Sequence, residues 1–399
     1  MNLKNIRRFL FVILICSLLV YGGFRLGMWK AEQKIKTFSE IDTSSMNDVL
    51  QRLKTSYLKI ENIDAKKLMY GATVGMTEAL GDPYTNFFPP EDNSRSKEDL
   101  SGEFGGIGIQ LGFVDNTLAV MTPLKDTPAM KAGIKAGDLI LKIVDKRYNI
   151  NKDTTKITLT EAVNLIRGEK GTEVTLTMFR EGDKQSKEVT LMREVINVPS
   201  TDLKWIDNGK VAVISVNKFG EQTLSEWNKI VTEVKNKKAS GVILDLRNNP
   251  GGYLQRAVDL GSEFIQSGVI VKQRDKLKTE VMNVDRNGKL IGTPLVVLIN
   301  RGSASASEIL AGALRERLGV KLVGEKSFGK GTVQEAQELP DGSGLHVTVA
   351  EWLLPSGENI HEKGLEPDVK VEYLYNEKNP TADNQLDKAL EILKGIIAN

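Results

Sequence analysis

The apolar run Leu295–Ile299 stops at Asn300-Arg-Gly-Ser-Ala-Ser-Ala-Ser-Glu308, after which Ile309, Leu310, Ala313, Leu314 and Leu318 recur as one helical face. A buried strand therefore empties through a Gly- and Ser-rich turn into a helix start. The same succession appears upstream. Val211–Val216 reads as a strand before a helix over 224–235, and 242–247 reads as a strand before a helix over 253–265. Residues 320–323 read as a further strand. Strands alternating with helices predict an α/β core with a largely parallel sheet and crossover helices. Ligands in such sheets bind beyond the carboxyl ends of the strands. Asn248-Asn-Pro-Gly-Gly252 and the Ser-rich turn both fall at that edge.

In the Ser-rich turn, small side chains let a carbonyl approach, and free N–H groups with the helix dipole favour negative charge. That suits a serine nucleophile. Helix capping is the competing reading, because Ser305-Ala-Ser-Glu308 has the form of a capping box. Histidine is the usual base for serine, but only His346, in an alternating strand, and His361, in a loop, are present. With two histidines, a His-rich metal site is nearly excluded. Lysine can replace histidine if desolvation populates its neutral form. Lys330 stands between Gly329 and Gly331, where backbone can fold closely around it. Gln334 lies four residues on, on the same face of a strand that starts at the loop, and its neutral amide can position an amine without a counter-charge.

The 399 residues allow two or three domains, and a net charge of +2 gives no footprint for nucleic acid. Lys4, Arg7 and Arg8 precede an apolar stretch over 9–24 that contains Cys16, the only cysteine. This pattern predicts a signal-anchor, with the N-terminus cytoplasmic and the rest outside. Residues 35–80 read as helical, and Gly81-Asp-Pro-Tyr then breaks the pattern. Residues 332–339 and 345–354 read as a hairpin turned at Asp341-Gly342. Leu386, Leu390, Leu393, Ile396 and Ile397 form the face of a final helix.

Gly105-Gly-Ile-Gly-Ile109 enters a strand, and Pro128-Ala-Met-Lys-Ala-Gly133 and Gly137-Asp-Leu-Ile-Leu141 follow. Residues 102–194 resemble a PDZ domain. A glycine turn of this kind forms a nest of N–H groups for a peptide carboxylate, and the adjoining strand edge takes the peptide by strand addition. Gly106, Ile107, Gly108 and Ile109 are the substrate-binding candidates. Arg167 looks like the arginine that related proteases use to couple PDZ occupancy to the active site, with a solvated surface arginine as the other reading.

The order PDZ, Asp245-Leu-Arg-Asn-Asn-Pro-Gly-Gly252, Ser303-Ala-Ser-Ala-Ser-Glu308, Gly329-Lys-Gly331, Gly364-Leu-Glu-Pro-Asp368 resembles the carboxyl-terminal processing peptidases, tail-specific serine proteases of family S41. The resemblance covers roughly 48–372 and implies a crotonase-like core. It also implies a Ser-Lys dyad. Of Ser303, Ser305 and Ser307, only Ser305 stands 25 residues before Lys330, the family's spacing. Gln334 falls on the position that orients the lysine. Ala306 and Gly251, with Gly252 as fallback, fall on the oxyanion hole. Glu308 reads as a helix-start charge, and Glu316 has no assigned role. No metal or cofactor is implied.

The expected organisation is a cytoplasmic stub and anchor at 1–29, a helical arm at 30–100, a PDZ domain at 101–195, a protease core at 196–376 and a C-terminal helix at 377–399. The expected activity is serine endopeptidase cleavage of proteins with accessible apolar C-termini, outside the cytoplasm at the cell surface or in the periplasm. Homodimerisation through the terminal helices and an unidentified activating partner go with that reading. A catalytically silent PDZ adaptor is the alternative. An acyl-CoA enzyme is a weaker one, since the chain advertises no nucleotide site.

Overall fold

The computed structural model describes residues 21–23, 25, 42–374, 379 and 382–398. Apart from four of these positions, the expected stub and anchor lie outside the described residues. No helix among the described residues is long and apolar enough to cross a membrane. The chain divides into two compact units, 1–72 and 73–399. The first contains α1 (Ser44–Ser56), a 3-10 turn at Ile60–Asn62 and the start of α2 (Ala65–Glu78). Val49, Tyr57 and Leu58 in it are exposed.

The second unit opens with β1 (Asn86–Phe88) and α3 (Pro90–Ser101). β2 (Glu103–Gly106) then leads into β3 (Ile109–Val114), β4 (Thr117–Pro123), α4 (Pro128–Lys131), β5 (Leu139–Asp145), β6 (Ile150–Asp153), α5 (Leu159–Ile166), β7 (Glu173–Phe179) and β8 (Lys187–Met192). β9 (Glu194–Asn197) returns to pair with β2, so the PDZ sheet β3-β4-β5-β7-β8 is inserted on a two-stranded ribbon. β3 ends that sheet with one edge unpaired among the described residues, and α5 packs against it. An open strand edge beside a helix is what strand addition requires.

The core follows: β10 (Thr201–Ile206), β11 (Val211–Val216), α6 (Thr223–Asn236), β12 (Gly241–Asp245), α7 (Leu254–Gly261), β13 (Val269–Arg274), β14 (Thr279–Asn283) and β15 (Leu295–Ile299). α8 (Ala306–Leu318), β16 (Lys321–Gly324), β17 (Thr332–Glu338), β18 (Gly344–Leu353), β19 (Val369–Lys370) and α9 (Asn384–Ala398) complete it. The main sheet has the order β10-β11-β12-β15-β16-β19. Every pair in it is parallel except β10-β11. A second sheet, β1-β18-β13-β14 with β17 on β18, carries the expected hairpin.

Alternation along β15 explains its apolar run. Leu295, Val297 and Ile299 pack with Trp227, Val258 and Leu310 on one face. Val296 and Leu298 pack with Ala389 and Leu393 of α9 on the other. A strand buried on both faces needs apolar residues throughout. The C-terminal helix thus seats Leu393 on the sheet while Ile396 and Ile397 stay exposed. The helix expected over 253–265 is shorter, because after Gly261 the chain tightens into turns.

Arg193, between β8 and β9, is wholly buried. Its Nε donates to Ile166 O at 2.8 Å and its Nη2 to Leu165 O at 3.2 Å, and a guanidinium nitrogen lies 2.8 Å from the buried Asp145 carboxylate. The charge grips the carbonyl end of α5, the helix that leads into Arg167. Arg193→Ala should lower PDZ stability by about 3–5 kcal/mol, because Asp145 is left buried and uncompensated. Urea unfolding followed through a PDZ-specific probe measures this.

Candidate active site

Ser305 sits at the end of the β15 turn with φ 55° and ψ −115°, outside the extended backbone usual for an N-cap. Such a conformation in a non-glycine residue costs on the order of 1–3 kcal/mol and persists only where its surroundings force it. Here the turn after β15 is bolted to the turn after β12. Ala304 N–H and Ser307 Oγ donate to Asn249 O at 3.0 and 2.9 Å, and Ser303 Oγ donates to Leu246 O at 2.8 Å. Asn300 Nδ2 donates to Asn248 Oδ1 at 2.9 Å. Ser303 and Ser307 are fully buried and serve this scaffold. Ser305 is the partly exposed serine of the three, and it lines the cleft.

Glu308 is wholly buried below it, and four donors converge on its carboxylate. Oε2 accepts Ser305 N–H and Lys330 N–H, each at 2.9 Å, and Oε1 accepts Gly329 N–H at 2.7 Å and the Ser327 hydroxyl at 2.5 Å. Ser327 Oγ itself accepts Leu365 N–H, which leaves its proton for Glu308. Burial pushes the Glu308 carboxyl above its usual range, and the four donors oppose that rise. The helix-start charge expected from sequence is thus also the clamp that joins two loops.

Lys330 is half-buried, and burial pushes its amine below the ordinary lysine value, with Asp82 opposing. Its flanking glycines are required by contact. A Cβ on Gly329, at φ 90°, would come within 2.8 Å of Gly364 N, and one on Gly331 within 2.8 Å of His361. Among the described residues the Lys330 amine donates no hydrogen bond to Ser305 or Gln334. Gln334 Nε2 donates to Thr332 Oγ1 at 2.9 Å and Thr348 Oγ1 at 3.1 Å. A register shift between Val333 and Gln334 breaks the even alternation expected from Lys330 onward, yet both side chains line one cleft.

His346 lines the same cleft, its ring 4.6 Å from Phe88. Burial first, and then the Lys330 charge, push its pKa down. His361 instead accepts Gly331 N–H at Nδ1 and staples the lysine loop.

Gly251 approaches Ser305 so closely that a Cβ would lie 2.8 Å from Ser305 Cβ. Its N–H, however, donates to Asn249 Oδ1 at 2.9 Å. The neighbouring Gly252 N–H and the Ala306 N–H donate no hydrogen bond within the described residues. Of the two glycine amides, only that of Gly252 is thus without a bond partner among the described residues.

The cleft has a volume of about 1010 Å³ and reaches from Ser305 and Lys330 to α3 and Asn164 of α5. Arg167 lies beyond α5, 2.9 Å from Asp99 of α3 and stacked on Phe104 at 3.9 Å. Lys218, its pKa pushed down by burial, donates to Asp99 O at 3.1 Å. In the PDZ turn, Ile107 and Gly108 donate no backbone bond among the described residues, while their carbonyls accept Ala129 and Leu124 N–H. Gly106 is buried, and Ile109 opens β3.

Sequence reasoning missed α3, Asp82, Tyr84, Asp99, Lys218 and Thr348. Pro90 at the first turn and Gly102, at φ 83°, past the last turn were available signals for α3. Nothing local marked the others.

A family model described as Peptidase family S41 matches residues 210–371, and a PDZ domain model matches 105–191. The chain is 37% identical over 353 residues to the carboxy-terminal processing protease CtpA of Bacillus subtilis, covering 88% of this chain and 73% of that one. It is 36% identical over 356 residues to a carboxy-terminal-processing protease of Bartonella bacilliformis, covering 87% and 80%. Among solved structures, a photosystem II D1 C-terminal processing protease aligns with TM-score 0.50 and 29% identity over 80% of this chain and 86% of that one. A putative S41 protease from Bacteroides fragilis shares the fold, with TM-score 0.56 and 16% identity over 87% of this chain and 96% of that one. On this footing the chain belongs to peptidase family S41, as a serine-type peptidase of mixed α/β fold that carries a PDZ domain.

Proposed function

We propose that the protein is a carboxyl-terminal processing endopeptidase with a Ser305–Lys330 dyad, fed by a PDZ domain that binds the apolar C-terminal tail of its substrate. The observation that carries this reading is a single cleft holding a strained, accessible Ser305 and a Lys330 amine whose charge is disfavoured by burial. Neutral Lys330 takes the Ser305 proton as Oγ attacks the scissile carbonyl. Ala306 N–H and Gly252 N–H, or Gly251 N–H if released from Asn249, stabilise the oxyanion. Lys330 then hands the proton to the leaving amine, and water, deprotonated by the same lysine, releases the acyl group. Glu308 keeps the nucleophile and base loops in register. Gln334 restrains the amine without adding a charge that would keep it protonated.

The substrate tail docks its carboxylate at Gly106–Ile109 and adds a strand to β3, and Arg167 relays occupancy to α3 through Asp99. A crotonase-like ancestry for the core, an N-terminal membrane anchor and action outside the cytoplasm belong to the same proposal. So does homodimerisation, for which Val49, Tyr57 and Leu58 on the N-terminal arm and Ile396 and Ile397 on α9 supply exposed apolar surface.

Cleavage of an unstructured protein with an apolar tail tests the dyad. Ser305→Ala and Lys330→Ala should each lose roughly 10²–10⁴-fold or more in kcat, with thermal unfolding little changed. Undiminished digestion by Lys330→Ala would end the reading. Activity should rise as the lysine loses its proton, on a limb that lies below the ordinary lysine value. Gln334→Glu should move that limb up by about 1–3 pH units, because a carboxylate beside the amine favours the ammonium. A pH–kcat/KM profile reads the shift directly.

A further inference from the structure

Pro83 and Tyr84 of the Gly81-Asp-Pro-Tyr segment, which the sequence offers only as a chain break, line the cleft that holds Lys330. Tyr84 is half-buried, with the Lys330 amine 4.9 Å from its ring centroid. We propose that Tyr84 is a positioning residue for the base, a fixed aromatic wall that excludes water from one side of the Lys330 amine and so keeps it available in its neutral form. This rests on the dyad reading above.

The wall is built rather than incidental. Asp82 Oδ1 accepts Tyr84 N–H at 3.0 Å, and Thr85 Oγ1 donates to Asp82 Oδ2 at 2.7 Å. Thr85 Oγ1 in turn accepts Thr348 N–H at 3.0 Å, and Thr348 Oγ1 accepts the Gln334 amide at 3.1 Å. Two residues on, β1 pairs with β18 at His346. One chain of bonds therefore ties the aromatic wall to the glutamine that faces the same cleft.

Two effects of the ring oppose each other. Its face attracts the ammonium, which at partly exposed sites is worth less than about one pH unit. Its bulk keeps water off, and full burial moves a lysine by up to about 3–5 units. The amine sits below its ordinary value with burial as the leading cause, which is the direction that exclusion of water predicts. The charged and titratable groups around the pair are Asp82 on the same segment, Glu308 under the nucleophile, His346 on β18, and His361 and Glu362 on the loop beyond. Burial, Glu308, Asp82 and Glu362 all push the Tyr84 hydroxyl above its ordinary value, so the ring stays a neutral phenol while the amine titrates.

The test compares pH–kcat/KM profiles of Tyr84→Ala and Tyr84→Phe with the parent. It adds trace acetic anhydride labelling of Lys330 across pH, read by mass spectrometry in a Ser305→Ala background. Tyr84→Ala should raise the limb by about one unit, lowering activity near neutrality by roughly tenfold, and should raise the labelling midpoint equally. Tyr84→Phe should hold both at the parent position. A uniform drop in kcat with the limb unmoved would show a merely structural residue and overturn the proposal. So would a Tyr84→Phe profile as displaced as that of Tyr84→Ala, which would assign the effect to the hydroxyl. If Tyr84→Ala does not fold, a Tyr84→Leu labelling midpoint above the parent's refutes a wall made of apolar bulk, and one at or below it supports the wall. Lys330→Ala separates the two readings. If that variant stays active the dyad fails, whereas if it is dead while Tyr84→Ala keeps the parent limb, only the wall fails.

Discussion

One buried carboxylate holds this site in shape. Glu308 takes hydrogen bonds from the backbone of Ser305, of Gly329 and of Lys330, and from the Ser327 hydroxyl. The proposed nucleophile and base lie on loops that follow different strands, β15 and β16, and no hydrogen bond links their side chains to each other. Their relation is therefore fixed through the backbone beneath them. Hydrogen bonds to a charged group contribute about 1.5–3 kcal/mol each. Their convergence on one acceptor ties the two loops to each other. A neutral amide in its place would leave at least one of the N–H groups facing another donor.

That clamp is what allows the Ser305 backbone to hold φ 55°. The parallel sheet supplies the other half of the constraint. β12 and β15 are adjacent and parallel, so their carboxyl-end turns emerge side by side, and Asn249 can take Ala304 N–H and the Ser307 hydroxyl across the gap. The same Asn249 takes the Gly251 N–H through its side chain. The arrangement that stiffens the Ser305 turn thus occupies one of the two glycine amides, and leaves Gly252 open to the cleft.

Much of this was legible from residue order. The apolar strands, the two turns at one sheet edge and the glycine-flanked lysine all follow from local pattern, because strand burial and tight approach leave marks within a few residues. The register shift before Gln334 was not legible, since a bulge depends on which residues of β18 lie opposite. Nor was the four-donor role of Glu308, because three of its donors lie more than 15 residues away. β13 did not stand out either, because the polar Lys272, Gln273 and Arg274 follow Val269, Ile270 and Val271 and give neither alternation nor an unbroken apolar run. Asp82 and Tyr84 are invisible for a different reason. A Gly-Asp-Pro-Tyr break advertises its turn chemistry, and what the turn leans on is decided some 250 residues later, where Thr348 meets Thr85.

An open cleft and a desolvated amine pull against each other, and the architecture shows how they coexist. A volume of about 1010 Å³ reaching from the sheet edge to α5 cannot exclude water everywhere. The lysine is screened locally instead. The Trp352 indole donates to its carbonyl at 2.8 Å, the loop holding His361 closes behind, and the segment 82–88 covers a flank. The cleft side carries α3, a helix of polar residues fixed at its C-terminal end, where Asp99 meets Arg167 from the PDZ domain and Lys218 from the core. In the proposed mechanism the peptide strand fills the space between that helix and the dyad. Water leaves the last open face of the amine only when substrate arrives. A lysine base gains more than a histidine from that order of events. Losing water favours the neutral, proton-accepting form of both, but an imidazole is already largely neutral at about pH 7, whereas an amine has several units to fall.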